Sequence, residues 1–163
     1  MTSEALAFHD LVKPDFVLHD LEHPTQRDAL RSMAGLLVKR GFCRASFIDA
    51  ILERERLHPS GLPMPGPKIA IPHTDAEHVH RSVILFARLK QPVEFRSMGD
   101  PEERLPVRLV SMFALKEKRL IGDLLETLIT VYQNEEILNS LLDAPDASAM
   151  YSILHHAVEE YES

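Results

Sequence analysis

The chain holds one cysteine, Cys43, and no tryptophan. A single thiol excludes an internal disulfide and any zinc site built from several cysteines. Cys43 follows Gly41 and Phe42, and it reads as a small buried thiol rather than a nucleophile. Aromatic residues make up only 6%, too few for the stacking platforms that hold single-stranded nucleic acid. Positive charge is also in deficit. Eighteen Lys and Arg face twenty-five Asp and Glu, for a net charge of −7, which argues against binding a phosphate backbone. No apolar run approaches a bilayer-spanning length, so no membrane insertion is expected. The opening residues, MTSEALAFHD, carry acids and lack the apolar core of a secretory signal, so a cytoplasmic location is expected. The chain also lacks a G-x-x-x-x-G-K-[ST] loop, which removes the usual cradle for a nucleotide phosphate.

What is present fits one domain. A chain of 163 residues with 45% hydrophobic content is long enough to bury a real core. Residues 1–13 read as a loose lead-in, and Phe16-Val17-Leu18 as a first strand. A turn at Glu22-His23-Pro24 precedes a helix capped by Thr25, with Leu30, Met33, Leu36 and Leu37 on one face and Gly41 at its end. A second helix runs through Phe47, Ile48, Ile51 and Leu52, delivering Arg54 near its last turn. Residues 58–68 hold four prolines and two glycines, a composition that excludes regular structure in favour of a stiff, turning loop.

Ile69-Ala70-Ile71 then reads as a short buried strand, stopped by Pro72. Strands are predicted at 83–89 and 107–115, a short edge strand at 92–95, and a turn at 98–103. From Leu120 onward the pattern is helical, with helices around Leu124–Ile129 and Ile137–Leu142 and a third at 149–158. Helices on either side of the strands predict α/β: a central mixed β-sheet flanked by helices on both faces, in a single domain.

The candidate chemistry centres on His73. It emerges where the Ile69–Ile71 strand ends, and open α/β sheets place their sites at strand C-termini. A neutral imidazole is a good nucleophile near pH 7, and its unperturbed pKa is about 6.5. Phosphoryl transfer asks for positioning and for cations around the equatorial oxygens, a task suited to the guanidinium of Arg54. Glu53 and Glu55 flank Arg54 and read as solvated helix-end charges, with a carboxylate pair for acid/base work as the other reading. His73, His78 and His80, with Asp75 and Glu77, form a cluster whose spacing fits metal ligation poorly, so no metal is expected.

The stretch ILERERLHPSGLPMPGPKIAIPH, residues 51–73, resembles the signature of the phosphotransferase-system (PTS) IIA components of the mannitol/fructose class. In that signature R-E is followed by [ST]-T-G-[IL], a glycine-rich loop and I-A-I-P-H. Arg54-Glu55, Ser60-Gly61-Leu62 and Ile69–His73 fall on those three parts in order. The resemblance continues through SVILFARL, VRLVSMFAL and the closing leucine-rich helices.

It implies that His73 accepts a phosphoryl group from the phosphocarrier HPr and passes it to a cysteine of a separate IIB component, which serves a membrane IIC component. It also implies that Arg54 neutralises the phosphate, that Ser60 contributes a hydroxyl, and that no cofactor is needed. Two departures stand out. The loop before the strand is longer, with prolines where the family has glycines. The second histidine that many members carry before the first C-terminal helix is also absent, and Lys118 or Arg119 is the candidate substitute charge. Pro59-Ser60-Gly61 and the missing histidine lean towards the galactitol-type branch. Leu62, Met64 and Val79 read either as an apolar rim for transient partners or as core. The alternative function is a regulatory, nitrogen-type IIA protein whose phosphorylated His73 controls partner binding.

Overall fold

The computed structural model describes residues 8–162, and residues 1–7 of the expected lead-in lie outside the described residues. The rest of that lead-in is structured. A short helix α1 (Phe8–Leu11) runs into strand β1 (Val12–Leu21), with Leu11 and Val12 buried. Pro14 falls inside this strand, which extends beyond the expected Phe16-Val17-Leu18 at both ends. It is tolerated because β1 lies at the sheet edge, where a missing backbone donor costs no ladder bond.

Two helices follow. In α2 (Gln26–Lys39) the Thr25 hydroxyl accepts the Asp28 amide at 3.1 Å, as the cap predicts. Gly41 (φ 83°) closes the helix, with Gly41 N donating to Val38 O and Phe42 N to Leu37 O. That pair of bonds needs a left-handed residue, which glycine supplies without steric cost. Helix α3 (Ser46–Leu57) carries Arg54 on its last turn.

The remaining elements are β2 (Gly61–Leu62), β3 (Lys68–Ala70), β4 (Val83–Arg96), β5 (Arg104–Ala114), α4 (Ile121–Tyr132), α5 (Glu135–Asp143) and α6 (Ala147–Glu162). The sheet order is β1-β4-β5-β3-β2. β1 and β4 run parallel, as do β3 and β5, while β4–β5 and β2–β3 are antiparallel. This is the mixed sheet expected. Two strand assignments need correction. Residues 61–62, inside the loop expected to be irregular, pair with β3, and residues 92–95 are not a separate strand but the far end of β4, beyond a register shift between Arg88 and Val93.

Alternation along β4 explains its unbroken apolar run. Ile84 and Phe86 face a core shared with α4, α5 and α6, while Val83, Leu85 and Ala87 face a second core shared with α2 and α3. Helices therefore cover both faces of the sheet. Among the described residues, no helix is long and apolar enough to cross a membrane.

Candidate functional site: a histidine where two parallel strands end

β3 and β5 run parallel and leave the sheet at the same end. Ile69, Ala70 and Ile71 are fully buried, and Ile71 N donates to Ser60 O at 3.1 Å. Pro72 has no amide to offer, but its carbonyl accepts Phe113 N at 3.0 Å, and His73 sits opposite Phe113. The histidine backbone is thus fixed by the ladder while its ring reaches the half-buried surface.

His73 Nδ1 lies 2.9 Å from Ile71 O. A carbonyl oxygen only accepts, so Nδ1 carries the proton and donates it, leaving Nε2 with a free lone pair. Burial pushes the His73 pKa below the ordinary histidine value. The Ile71 carbonyl opposes that shift, Arg54 adds to it, and Asp75 opposes it. The ring is therefore neutral, with Nε2 ready to attack, at neutral pH.

Arg54 approaches from α3, its Nη1 3.9 Å from Asp75 Oδ1. Asp75 belongs to the loop after His73, which contains a short 3-10 turn (Ala76–His78). The corner between α2 and α3 grips this loop. Arg44 N donates to His78 O (2.8 Å) and Arg44 Nε to Glu77 O (3.0 Å). The Ser46 hydroxyl and His78 Nδ1 share a hydrogen bond of 2.8 Å, and His80 N and Arg81 N both donate to Phe42 O. The sequence reading placed Asp75 only in the poor metal cluster and missed both its pairing with Arg54 and the role of Arg44 and Ser46. The separation of some thirty residues between the corner and the loop left no local signal.

Ser60 does not join this group. Its hydroxyl donates to Glu55 Oε1 (2.7 Å) and its amide to Glu55 Oε2 (2.8 Å), and both residues are buried. With its one proton committed, the hydroxyl has none to donate to a phosphate oxygen. Glu55 is equally unlike the expected solvated charge. Burial raises its pKa, against the opposing bonds from Ser60 and the charge of Arg54. Glu53, by contrast, is exposed and pairs with Arg56.

Met64 and Val79 are core, and Leu62 is half-buried, so the three form no exposed apolar rim. Cys43 is buried and its thiol pKa is pushed up to about 12, which disables it as a nucleophile at neutral pH. Lys118 and Arg119 lie in a 3-10 turn just after β5, which brings them out at the same end of the sheet as His73. Arg119 Nε is 3.7 Å from Glu117, and both are exposed.

A cleft of about 500 Å³ lies elsewhere, between α2, α3 and the end of β4, where Arg27, Leu30, Leu52, Arg56 and Arg96 line it. Glu55 also touches it, but His73 does not. A half-buried imidazole outside that cleft suits exchange with another protein better than capture of a small molecule.

The profile described as "Phosphoenolpyruvate-dependent sugar phosphotransferase system, EIIA 2" matches residues 10–157. The chain belongs to this family. It is 30% identical over 148 residues to the nitrogen regulatory protein of Bradyrhizobium diazoefficiens, covering 89% of this chain and 92% of that one. It is also 30% identical over 155 residues to multiphosphoryl transfer protein 2 of Escherichia coli, covering 91% of this chain but 17% of that protein. Two solved EIIA structures share the fold. The mannitol-specific cryptic enzyme IIA CmtB of E. coli has a TM-score of 0.74 at 19% identity, covering 93% of this chain and 99% of that one. The E. coli mannitol IIA in complex with phosphorylated IIB has a TM-score of 0.68 at 22% identity, covering 85% and 93%.

Proposed function

We propose that this EIIA protein carries a phosphoryl group on Nε2 of His73, in a relay that feeds sugar or polyol uptake. The carrying observation is the 2.9 Å bond that commits Nδ1 to Ile71 O and leaves Nε2 free at the half-buried surface, within electrostatic reach of Arg54. In the loading step the Nε2 lone pair attacks the phosphorus of phosphohistidine on HPr. The new N–P bond forms as the donor's N–P bond breaks, and the bonding pair returns to the donor imidazole. In the unloading step a cysteine thiolate of a separate IIB component attacks the phosphorus, and the Nε2–P bond breaks. The IIB protein then serves a membrane IIC component, with the EIIA chain acting in the cytoplasm. Arg54 neutralises charge on the equatorial oxygens. Lys118 or Arg119, both exposed in the turn after β5, supplies the charge in place of a second histidine. Ser60 acts through the loop, as the group that satisfies Glu55.

The 30% likeness to a nitrogen regulatory protein over 92% of its length supports a second reading, in which phosphorylated His73 controls binding to a regulated partner. Both readings load His73. They separate at unloading, because only the transport relay requires rapid discharge to a IIB thiol.

Incubation with phosphoenolpyruvate, enzyme I and HPr should add one acid-labile phosphate to the protein. His73→Ala should abolish the gain, and Arg54→Ala should slow it by about 100-fold. No gain while HPr is fully phosphorylated would refute loading from HPr.

A further inference from the structure

The geometry points to Asp75 as a positioning residue that sets the phosphoryl-transfer potential of His73: it holds Arg54 in the resting protein and faces the phosphoryl group once Arg54 has moved onto it. The inference rests on His73 being the phosphoryl acceptor.

Three observations carry it. The first is the looseness of the ion pair. Arg54 and Asp75 are 3.9 Å apart, with 38% and 67% of their side chains exposed. Such a pair is weak and easily exchanged. A phosphoryl group offers a guanidinium a dianion and two parallel hydrogen bonds, which is a stronger partner. Loading His73 therefore draws Arg54 away from Asp75.

The second is that the backbone carrying Asp75 is held at the site. It sits two residues after a histidine fixed in the β5 ladder. On its other side the loop is held by Arg44 on Glu77 O and His78 O, and by Ser46 on His78 Nδ1. With its backbone fixed, the carboxylate stays within one short side chain's reach of the site when its partner leaves, and a like charge then lies near the phosphoryl oxygens.

The third is that Asp75 already acts on the ring. It opposes the downward push that burial and Arg54 exert on the His73 pKa. That requires the carboxylate to be within electrostatic reach of the imidazole, and so of any group attached to it.

A carboxylate held beside a phosphorylated imidazole destabilises the loaded form and makes discharge more favourable. The resting protein gains nothing comparable, because there Asp75 is paired. The charge thus acts selectively on the loaded state, lowering the fraction of protein loaded at a given donor ratio and hastening the hand-off.

The test is the equilibrium between phospho-HPr and the full chain, read by intact mass at fixed total HPr. Removing one like charge at a partly exposed site should shift the constant towards the loaded protein by about fivefold in Asp75→Asn. Asp75→Glu should stay near the unsubstituted protein, and Asp75→Lys should move further than Asp75→Asn. In the unloaded protein Asp75→Asn should also lower the pKa of the His73 imidazole, read by NMR, a change that a merely structural role for Asp75 would not produce. A constant that is unchanged or reduced in folded Asp75→Asn and Asp75→Lys overturns the role of Asp75 while leaving the carrier reading intact. Failure of the unsubstituted protein to take phosphate overturns the carrier reading first, and the Asp75 role with it.

Discussion

Neutral imidazole is the reactive form, and burial keeps His73 in that form to a lower pH than an ordinary histidine. The acid-side decline in the rate of phosphoryl acceptance should therefore have its midpoint below the ordinary histidine value of about 6.5. The same shift affects stability. The unfolded chain takes up the proton first, so stability falls as pH drops through the window from the ordinary value to the lowered one. An NMR titration of the His73 ring checks both, with an expected midpoint below about 6.5, and a midpoint at or above it would contradict the burial argument. At this scale the sequence was legible where the chemistry is local. His73 and Arg54 stand out because a strand stop and a helix end announce them. Ser60 and Asp75 were misread or missed because their partners, Glu55 and Arg54, are set by how the loops fold back. The family resemblance makes Ser60 a phosphate ligand, but its hydroxyl is committed to a buried carboxylate.

Among the elements, the loop between α3 and β3 governs the site. Gly61 pairs with Ala70 on one side and Ser97 on the other, and Met98 N donates to Gly61 O at 2.7 Å. A Cβ at position 61 would sit 2.6 Å from the backbone oxygen of Arg96 and 3.3 Å from Leu105. Neither strand has slack there, so Gly61→Ala should cost about 1–3 kcal/mol, measured by urea denaturation. It should also slow loading of His73, since Ser60, which receives the Ile71 amide, is the next residue. Unchanged stability would mean that β2 and the end of β4 separate freely. The loop composition identified a stiff connection but could not reveal a two-residue strand within it, because alternation has no meaning over two positions. The full length of β1 and the continuity of β4 were hidden for a related reason. Pro14 and Pro92 interrupt their patterns, and both strands absorb the interruption with a register shift.

For the whole molecule, a buried arginine ties the two halves together. Arg88, in the middle of the apolar run of β4, is 4% exposed. Its Nη1 donates to the carbonyls of Leu141 (2.9 Å), Leu142 (3.2 Å) and Ala144 (2.6 Å), and its Nη2 lies 3.3 Å from Asp20 Oδ1. One side chain thus satisfies the C-terminal end of α5 and joins the central sheet to both β1 and the α5–α6 connection. Arg88→Met should remove about 3 kcal/mol of stability in the same urea assay, because buried carbonyls lose their donor. Phosphate acceptance at low temperature should persist, since Arg88 makes no contact with the His73 site. A loss under 1 kcal/mol would show that water replaces the guanidinium. The two-faced α/β architecture was readable from strand runs flanked by amphipathic helices. What the pattern could not show is how the ends of β3, β5 and α3 meet, because that depends on strand order rather than on any one strand.

The most direct test of the central claim is the site of attachment on the imidazole. The protein, labelled with nitrogen-15 and loaded through HPr, would be examined by long-range proton–nitrogen NMR with detection of phosphorus coupling. The bond from Nδ1 to Ile71 O predicts phosphorus on Nε2 of His73, with Nδ1 still protonated. Phosphorus on Nδ1, or on any residue other than His73, would contradict the account.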